Sequence, residues 1–207
     1  MKKGLILLIT IFITFVGSFA QQNQSATEKG TQSIQSSSKR MKFMGKSMNC
    51  SMSAMASHLQ TKGYKTESKI EGGIFMTGSF QGYRNCDVIL REDYNILSFC
   101  RVILPSSYDV SWTKLESDYK DIVSRYTEKY GEPQISRFDF AENVYSDYDR
   151  LTLVEKDKCN YYCVFFIDGG SITINIDSSK SVWITYRDDI STEKIKKILQ
   201  DELKHNP

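Results

Sequence analysis

The sequence predicts an α+β fold: two tandem helix-plus-antiparallel-meander units, α-β4-α-β4-α, with the helices on one face of the sheet. Three observations carry this expectation. Strand-like segments come in runs joined by short turns, the pattern of antiparallel meanders rather than of crossovers. A long amphipathic helix separates the two runs. Aromatic residues make up 12% of the chain, with 12 Tyr and 11 Phe, a composition suited to a well-buried sheet.

The chain opens MKKGLILLITIFITFVGSFAQQ. Lys2 and Lys3 form a basic start, Leu5 to Val16 an apolar run, and Ser18-Phe19-Ala20 a small-residue cleavage site. Residues 1–20 are therefore expected to be a signal peptide cut after Ala20. The apolar run is shorter than the roughly 20 residues of a span, so no stable membrane span is expected after cleavage. No cysteine lies at the cleavage site, which disfavours a lipid anchor. Loss of Lys2 and Lys3 lowers Lys+Arg from 27 to equality with the 25 Asp+Glu. A chain without net charge lacks the basic stripe that nucleic acid needs, and it lacks attraction to an anionic membrane surface. The expected location is exported, periplasmic or secreted. Residues 21–40, QQNQSATEKGTQSIQSSSKR, hold Ile34 as their only large apolar side chain. Such a tract cannot offset its ordering entropy and is expected to be a disordered tether. Ser36-Ser37-Ser38-Lys39 fits the S-x-x-K nucleophile pattern, but in a tract with no helical periodicity the match is chance.

The first unit and the second helix are expected over 41–133. Phe43 and Met44 suggest a lead-in strand. Met52, Met55, Ala56 and Leu59 recur at helical spacing, with Asn49 or Ser51 as cap and Gly63 as stop, giving a helix over about 51–62. Strands are expected over 64–70, 74–80, 86–90 and 96–104, where Pro105 ends the run. Trp112, Leu115, Tyr119, Ile122, Val123, Tyr126 and Tyr130 line one face of a helix capped by Ser111 and stopped by Gly131 and Pro133.

The second meander and a C-terminal helix are expected over 134–207. Strands are read over 134–140, 150–155, 161–167, 171–176 and 182–187, with 141–149 an acidic loop. Ile172, Ile174 and Ile176 alternate cleanly with Ser171, Thr173 and Asn175. A closing helix over about 192–203 turns Ile195, Ile198, Leu199 and Leu203 inward. "NCDVILREDYNILSFCRVIL" and "YYCVFFIDGGSITINI" are both apolar hairpins, the basis for suspecting a tandem repeat. One continuous sheet and two separate sheets both remain open.

The segments "FMGKSMNCSMSAMASHLQTKGY", "GSFQGYRNCDV" and "KYGEP", together with the FAQQ signal end, give the chain its likeness to a group of proteins. It resembles exported, uncharacterised proteins of the Bacteroidetes over most of 41–187, and that resemblance implies export but no particular activity. The element order is also similar to the architecture of the beta-lactamase-inhibitor protein and the outer-membrane-assembly lipoproteins (SmpA/OmlA). That likeness rests on fold plan alone.

Five cysteines are present. In an exported chain they meet a disulfide-permissive environment. A three-residue loop Glu92-Asp93-Tyr94 would set Cys86 opposite Cys100, with Cβ atoms about 4.5–5.5 Å apart, near disulfide range. A two- or four-residue loop would set Cys86 against Arg101 and leave two buried thiols. Cys159 and Cys163, about 13 Å apart along an extended strand, could join only if Cys159 lay in the curl of the turn. Cys50 is the thiol expected to stay unpaired.

Motifs for catalysis are missing. There is no G-x-S-x-G, P-loop, G-x-G-x-x-G or H-E-x-x-H. His58, expected on a solvent-facing helix side, and His205, near the C-terminus, are too far apart in sequence to suggest a triad or zinc site. Asp139, Glu142, Asp147 and Asp149 lack the glycine and spacing of a calcium loop and suggest a solvated one. No metal or cofactor is expected. The remaining candidates are loop aromatics for partner binding: Phe80 and Tyr83 in "GSFQGYRN", and Tyr145 and Tyr148 in "DFAENVYSDYDR". The expected function is a non-enzymatic binding or envelope-interaction role with a protein or envelope component as partner. The alternative is a small periplasmic hydrolase using paired carboxylates, which requires two acids in a cleft and one raised pKa.

Overall fold

A computed structural model of the chain describes residues 40–107 and 109–205. The expected signal peptide and the expected tether up to residue 39 lie outside the described residues. Arg40, the last residue of the expected tether, is described and bonds to Asp188.

Among the described residues ten strands and four helices follow in order. A two-residue pair, β1 (Lys42–Phe43) and β2 (Lys46–Ser47), leads into α1 (Met52–Thr61). Next come β3 (Lys65–Ile70), β4 (Gly73–Phe80), β5 (Tyr83–Asp93) and β6 (Ile96–Ile103). Helix α2 (Trp112–Tyr130) leads to β7 (Ile135–Phe140), α3 (Asp147–Glu155), β8 (Cys159–Ile167), β9 (Gly170–Asp177), β10 (Ser181–Asp188) and α4 (Asp189–His205). The fold is α+β, with one antiparallel sheet of eight strands in the order β3-β4-β5-β6-β10-β9-β8-β7.

Local chemistry explains most boundaries. The hydroxyl of Ser51 accepts from the Ala54 N–H, and that of Ser111 from the Lys114 N–H, satisfying donors that a helix start leaves open. Gly131 takes φ +82° where α2 ends, a backbone state that glycine enters without Cβ strain. The face of α2 that reads as apolar is the buried one, with Trp112, Leu115, Tyr119, Ile122 and Tyr126 inside.

The two four-strand meanders meet at β6 and β10, where Tyr186 pairs with Cys100 and Ile184 with Val102. Both meanders thus belong to one continuous sheet. Its buried face carries Val88 and Leu90 on β5, Cys100 and Val102 on β6, and Ile184 and Tyr186 on β10. Ile172 and Ile174 on β9 and Cys163 and Phe165 on β8 complete it. Helix α1 lies against β3–β5, and α2 against β8–β10. At the usual return of about 25 cal/mol per Å² of apolar area removed from water, this layer is the main source of stability.

The structure corrects several expectations. Residues 150–155 are helical, part of α3, not a strand. Ser146 caps α3 by accepting from the Asp149 N–H, and Asp147 and Asp149 occupy its first turn, where the helix dipole favours acids. Helix α4 starts directly out of β10 at Asp189, because Asp188 accepts from the Ser191 N–H and caps it. His58 is half-buried, with Nε2 3.0 Å from the Met44 carbonyl, rather than turned to solvent.

The expected Cys86–Cys100 disulfide is also overturned. The β5–β6 turn has two residues, Tyr94 and Asn95, both at positive φ (53° and 58°), as a tight hairpin with the native strand twist demands. A register shift follows between Arg91 and Glu92, so that Cys100 faces Leu90. Cys86 lies four residues from Leu90, about 13 Å along the strand, beyond any disulfide. All five cysteines are free thiols.

Candidate functional site

A concavity opens between α2, the edge strand β7 and its neighbour β8. It encloses about 440 Å³ and is lined by Glu116, Tyr119, Lys120, Val123, Ser124, Phe138 and Tyr161. The helical period places Glu116, Tyr119, Lys120 and Val123 on one flank of α2. Phe138 and Tyr161 reach the cleft from directly paired positions on β7 and β8.

The walls are aromatic. Phe138, Tyr119 and Tyr161 stand edge to face, with ring centroids 6.0 Å apart for Tyr119–Phe138, 5.8 Å for Tyr119–Tyr161 and 5.7 Å for Phe138–Tyr161. Trp112 extends the cluster at one end, 5.0 Å from Tyr161 and 5.2 Å from Phe140. Phe138 remains 53% exposed, an unusual state for a phenylalanine on a sheet.

Three polar groups of the cleft, Glu116, Lys120 and Tyr161, are engaged with one another. The Tyr161 hydroxyl donates to Glu116 Oε1 at 3.0 Å, and the Lys120 ammonium reaches the same oxygen at 3.1 Å. Burial, aided by the Glu116 hydrogen bond, pushes the Tyr161 phenol up to about 12. Tyr119 is buried, its hydroxyl set against the Cys163 thiol without a conventional hydrogen-bond partner. Burial pushes this phenol up still further. Neither tyrosine exchanges protons near neutral pH. The cleft is equipped to hold a flat apolar group against rings, with one neutralised carboxylate at its rim.

The expected site residues divide. Phe80 is 4% exposed: it ends β4 with its ring in the core and offers no surface. Tyr83 donates its hydroxyl toward Asp121 Oδ2 (3.0 Å) and Asp118 Oδ1 (3.2 Å), fastening the β4–β5 hairpin to α2. Tyr145 and Tyr148 are 87% and 78% exposed at the start of α3, and α3 is tied to the start of α2 by Thr113 and Asp147. They do not join Phe80 and Tyr83 in one patch. The cleft residues Tyr119, Phe138 and Tyr161 were not singled out in the sequence. Their convergence depends on which strands α2 covers, and no local signal encodes that.

A second, smaller concavity of about 290 Å³ lies over β3–β6, lined in part by Glu67, Phe75, Asp87 and Ile103. Burial and the neighbouring Glu67 raise the Asp87 carboxyl above its ordinary range. Thr77 Oγ1 donates to Glu67 Oε1 at 2.7 Å. Among the described residues no group of His, Cys, Asp and Glu is arranged to hold a metal ion, and no helix is long and apolar enough to cross a membrane.

No protein-family model, curated protein or solved structure matches the chain.

Proposed function

We propose that the chain is an exported, non-enzymatic binding protein of the cell envelope, and that the α2–β7–β8 cleft receives an apolar or aromatic group of an envelope partner. The observation that carries this reading is the exposed, ring-walled cleft with its single carboxylate already neutralised. Rigid aromatic walls bind with little loss of conformational entropy. The signal-like N-terminus and the likeness to exported Bacteroidetes proteins support the location. In the same proposal the protein is built as two tandem α-β4 units. Each four-strand meander is contiguous in the sheet and preceded by one helix, with α3 an insertion in the second unit.

The test is site-directed photo-crosslinking in cells that export the chain. A photoreactive residue in place of Val123, which lines the cleft, is expected to give an adduct with an envelope component. The same residue in place of exposed Lys196 on α4 is expected to give none. No adduct from position 123, or equal adducts from both, would refute the reading.

The Asp87–Glu67 pair supports the second reading, a hydrolase, because a carboxyl with a raised pKa beside a second carboxyl is the arrangement acid–base hydrolysis uses. Both side chains are exposed to solvent, which makes this the weaker of the two.

A further inference from the structure

Among the described residues the sheet ends on two strands, β3 and β7, each paired on one side only. An open edge invites pairing with another chain, and folded proteins blunt it with bulges and lysines. Strand β3 carries both devices: Lys65 and Lys69, and a register shift between Thr66 and Ser68. Strand β7 carries neither. Its ladder to β8 is regular from Ile135↔Val164 to Phe140↔Cys159, and it contains no lysine or proline.

The backbone shows which groups β7 offers. The Ala141 N–H donates to the Lys158 carbonyl at 3.0 Å. Bonding direction alternates along an antiparallel strand, so the N–H and C=O of Phe140, Phe138 and Ser136 point away from β8. Arg137 and Asp139 stand between them on the other side-chain face.

We propose that β7 pairs antiparallel with β7 of a second copy, about a two-fold axis through Phe138, so that the two eight-stranded sheets run on as one. A symmetric contact must be self-complementary, and the side chains select this register. An axis through Phe138 sets Arg137 opposite Asp139 of the second copy, twice. It also matches every outward-pointing backbone group with a partner, Phe138 to Phe138 and Ser136 to Phe140. An axis through Arg137 would oppose two arginines, and one through Asp139 two aspartates, both unfavourable. In its own chain Arg137 makes no ion pair among the described residues, and Asp139 is held by Asn160 at 2.6 Å through one oxygen only. Phe138 also explains its own exposure: in this register its ring lies beside Phe138 of the second copy, and the two clefts become one aromatic trough across the axis. The dimer stands independently of what the cleft binds.

Sedimentation equilibrium on the chain as purified from the cells that make it tests the proposal. The wild-type chain is expected to dimerise. Arg137→Asp and Asp139→Arg each place like charges opposite one another, and each is expected to weaken the dimer about thirty-fold, the result of exchanging two attractive for two repulsive cross-strand pairs. Mixed together, these two variants are expected to form a heterodimer as tight as wild type, since every Asp then meets an Arg. The double variant R137D/D139R is expected to recover self-association. Phe138→Pro removes an outward N–H while sparing the bonds to β8 and is expected to be monomeric with an unchanged far-UV spectrum. A wild-type chain that stays monomeric at its solubility limit overturns the proposal. So does a dimer indifferent to the single reversals or to F138P, or a mixture that fails to recover association.

Discussion

Replacing Asp188 with asparagine removes one charge and changes almost no volume, yet it disturbs the point where Arg40 and Met41 meet the junction of β10 and α4. The Asp188 carboxylate is fully buried. Its Oδ1 accepts from the Met41 N–H at 2.9 Å, and its Oδ2 accepts from the Ser191 N–H at 2.9 Å while lying 3.2 Å from the Arg40 guanidinium. It thereby caps α4, fixes Met41 in the core and holds Arg40. In D188N one of the two oxygens becomes an NH₂ group. Whichever way the amide turns, a donor then faces a backbone donor. One buried N–H left unsatisfied costs about 1–3 kcal/mol, and a weakened helix cap adds about 1 kcal/mol. Breaking a buried ion pair costs about 3–5 kcal/mol where the survivor stays buried. Arg40 keeps 18% side-chain exposure and a hydrogen bond to Asn49, so it can recover part of its hydration. The expected net loss is about 3 kcal/mol. With a urea m-value of roughly 2 kcal/mol/M, the unfolding midpoint should fall by roughly 1.5 M with the slope unchanged. A shift worth less than about 1 kcal/mol would show that this carboxylate does not secure the junction, and that reasoning from its three donors is wrong.

Two further outcomes follow from packing. Gly78 on β4 lies under the ring of buried Tyr64: an added Cβ would stand 2.3 Å from Tyr64 Cδ1 and 2.6 Å from Cγ, while the Tyr64 hydroxyl is tied to the Ser79 carbonyl at 2.6 Å. Gly78→Ala is therefore expected to cost about 2 kcal/mol by overpacking and to lower Tm by about 4–8 °C in a thermal melt; an unshifted melt would show that the ring moves aside freely. Alkylation with iodoacetamide, followed by peptide mapping without reductant, is expected to find five free thiols after denaturation. In the native protein, modification should be confined to the half-exposed Cys50 and Cys159. Burial pushes the Cys159 thiol up to about 11, so its thiolate fraction, and with it the labelling rate, should rise about tenfold per pH unit through the neutral range. A Cys86–Cys100 cross-linked peptide would restore the opposed register and refute the two-residue turn.

The elements that could be read in advance are those whose signals are local. Ser111, Gly131 and the apolar repeat from Trp112 to Tyr130 define α2, because a cap and a helical stripe act within a few residues of each other. The alternation of Ile172, Ile174 and Ile176 defines β9 for the same reason. Residues 150–155 misled because Leu151, Leu153 and Val154 suit a buried strand as well as a short helix. The deciding features were the Ser146 cap and the acidic turn that precede them. The aromatic cleft was not legible: Tyr119, Phe138 and Tyr161 are separated by many residues and are brought together only when α2 settles on β8.

The sequence alone determined the class of the fold and the positions of most helices and strands, since these arise from propensity, capping and composition. The tertiary structure decided the rest. It joined β6 to β10 and so made one sheet of two meanders. It also set Leu90 rather than Cys86 opposite Cys100, and it left β7 as an unblunted edge. Each of these outcomes is a pairing between distant segments, won by a small difference in packing and hydrogen bonding that no stretch of the chain carries by itself.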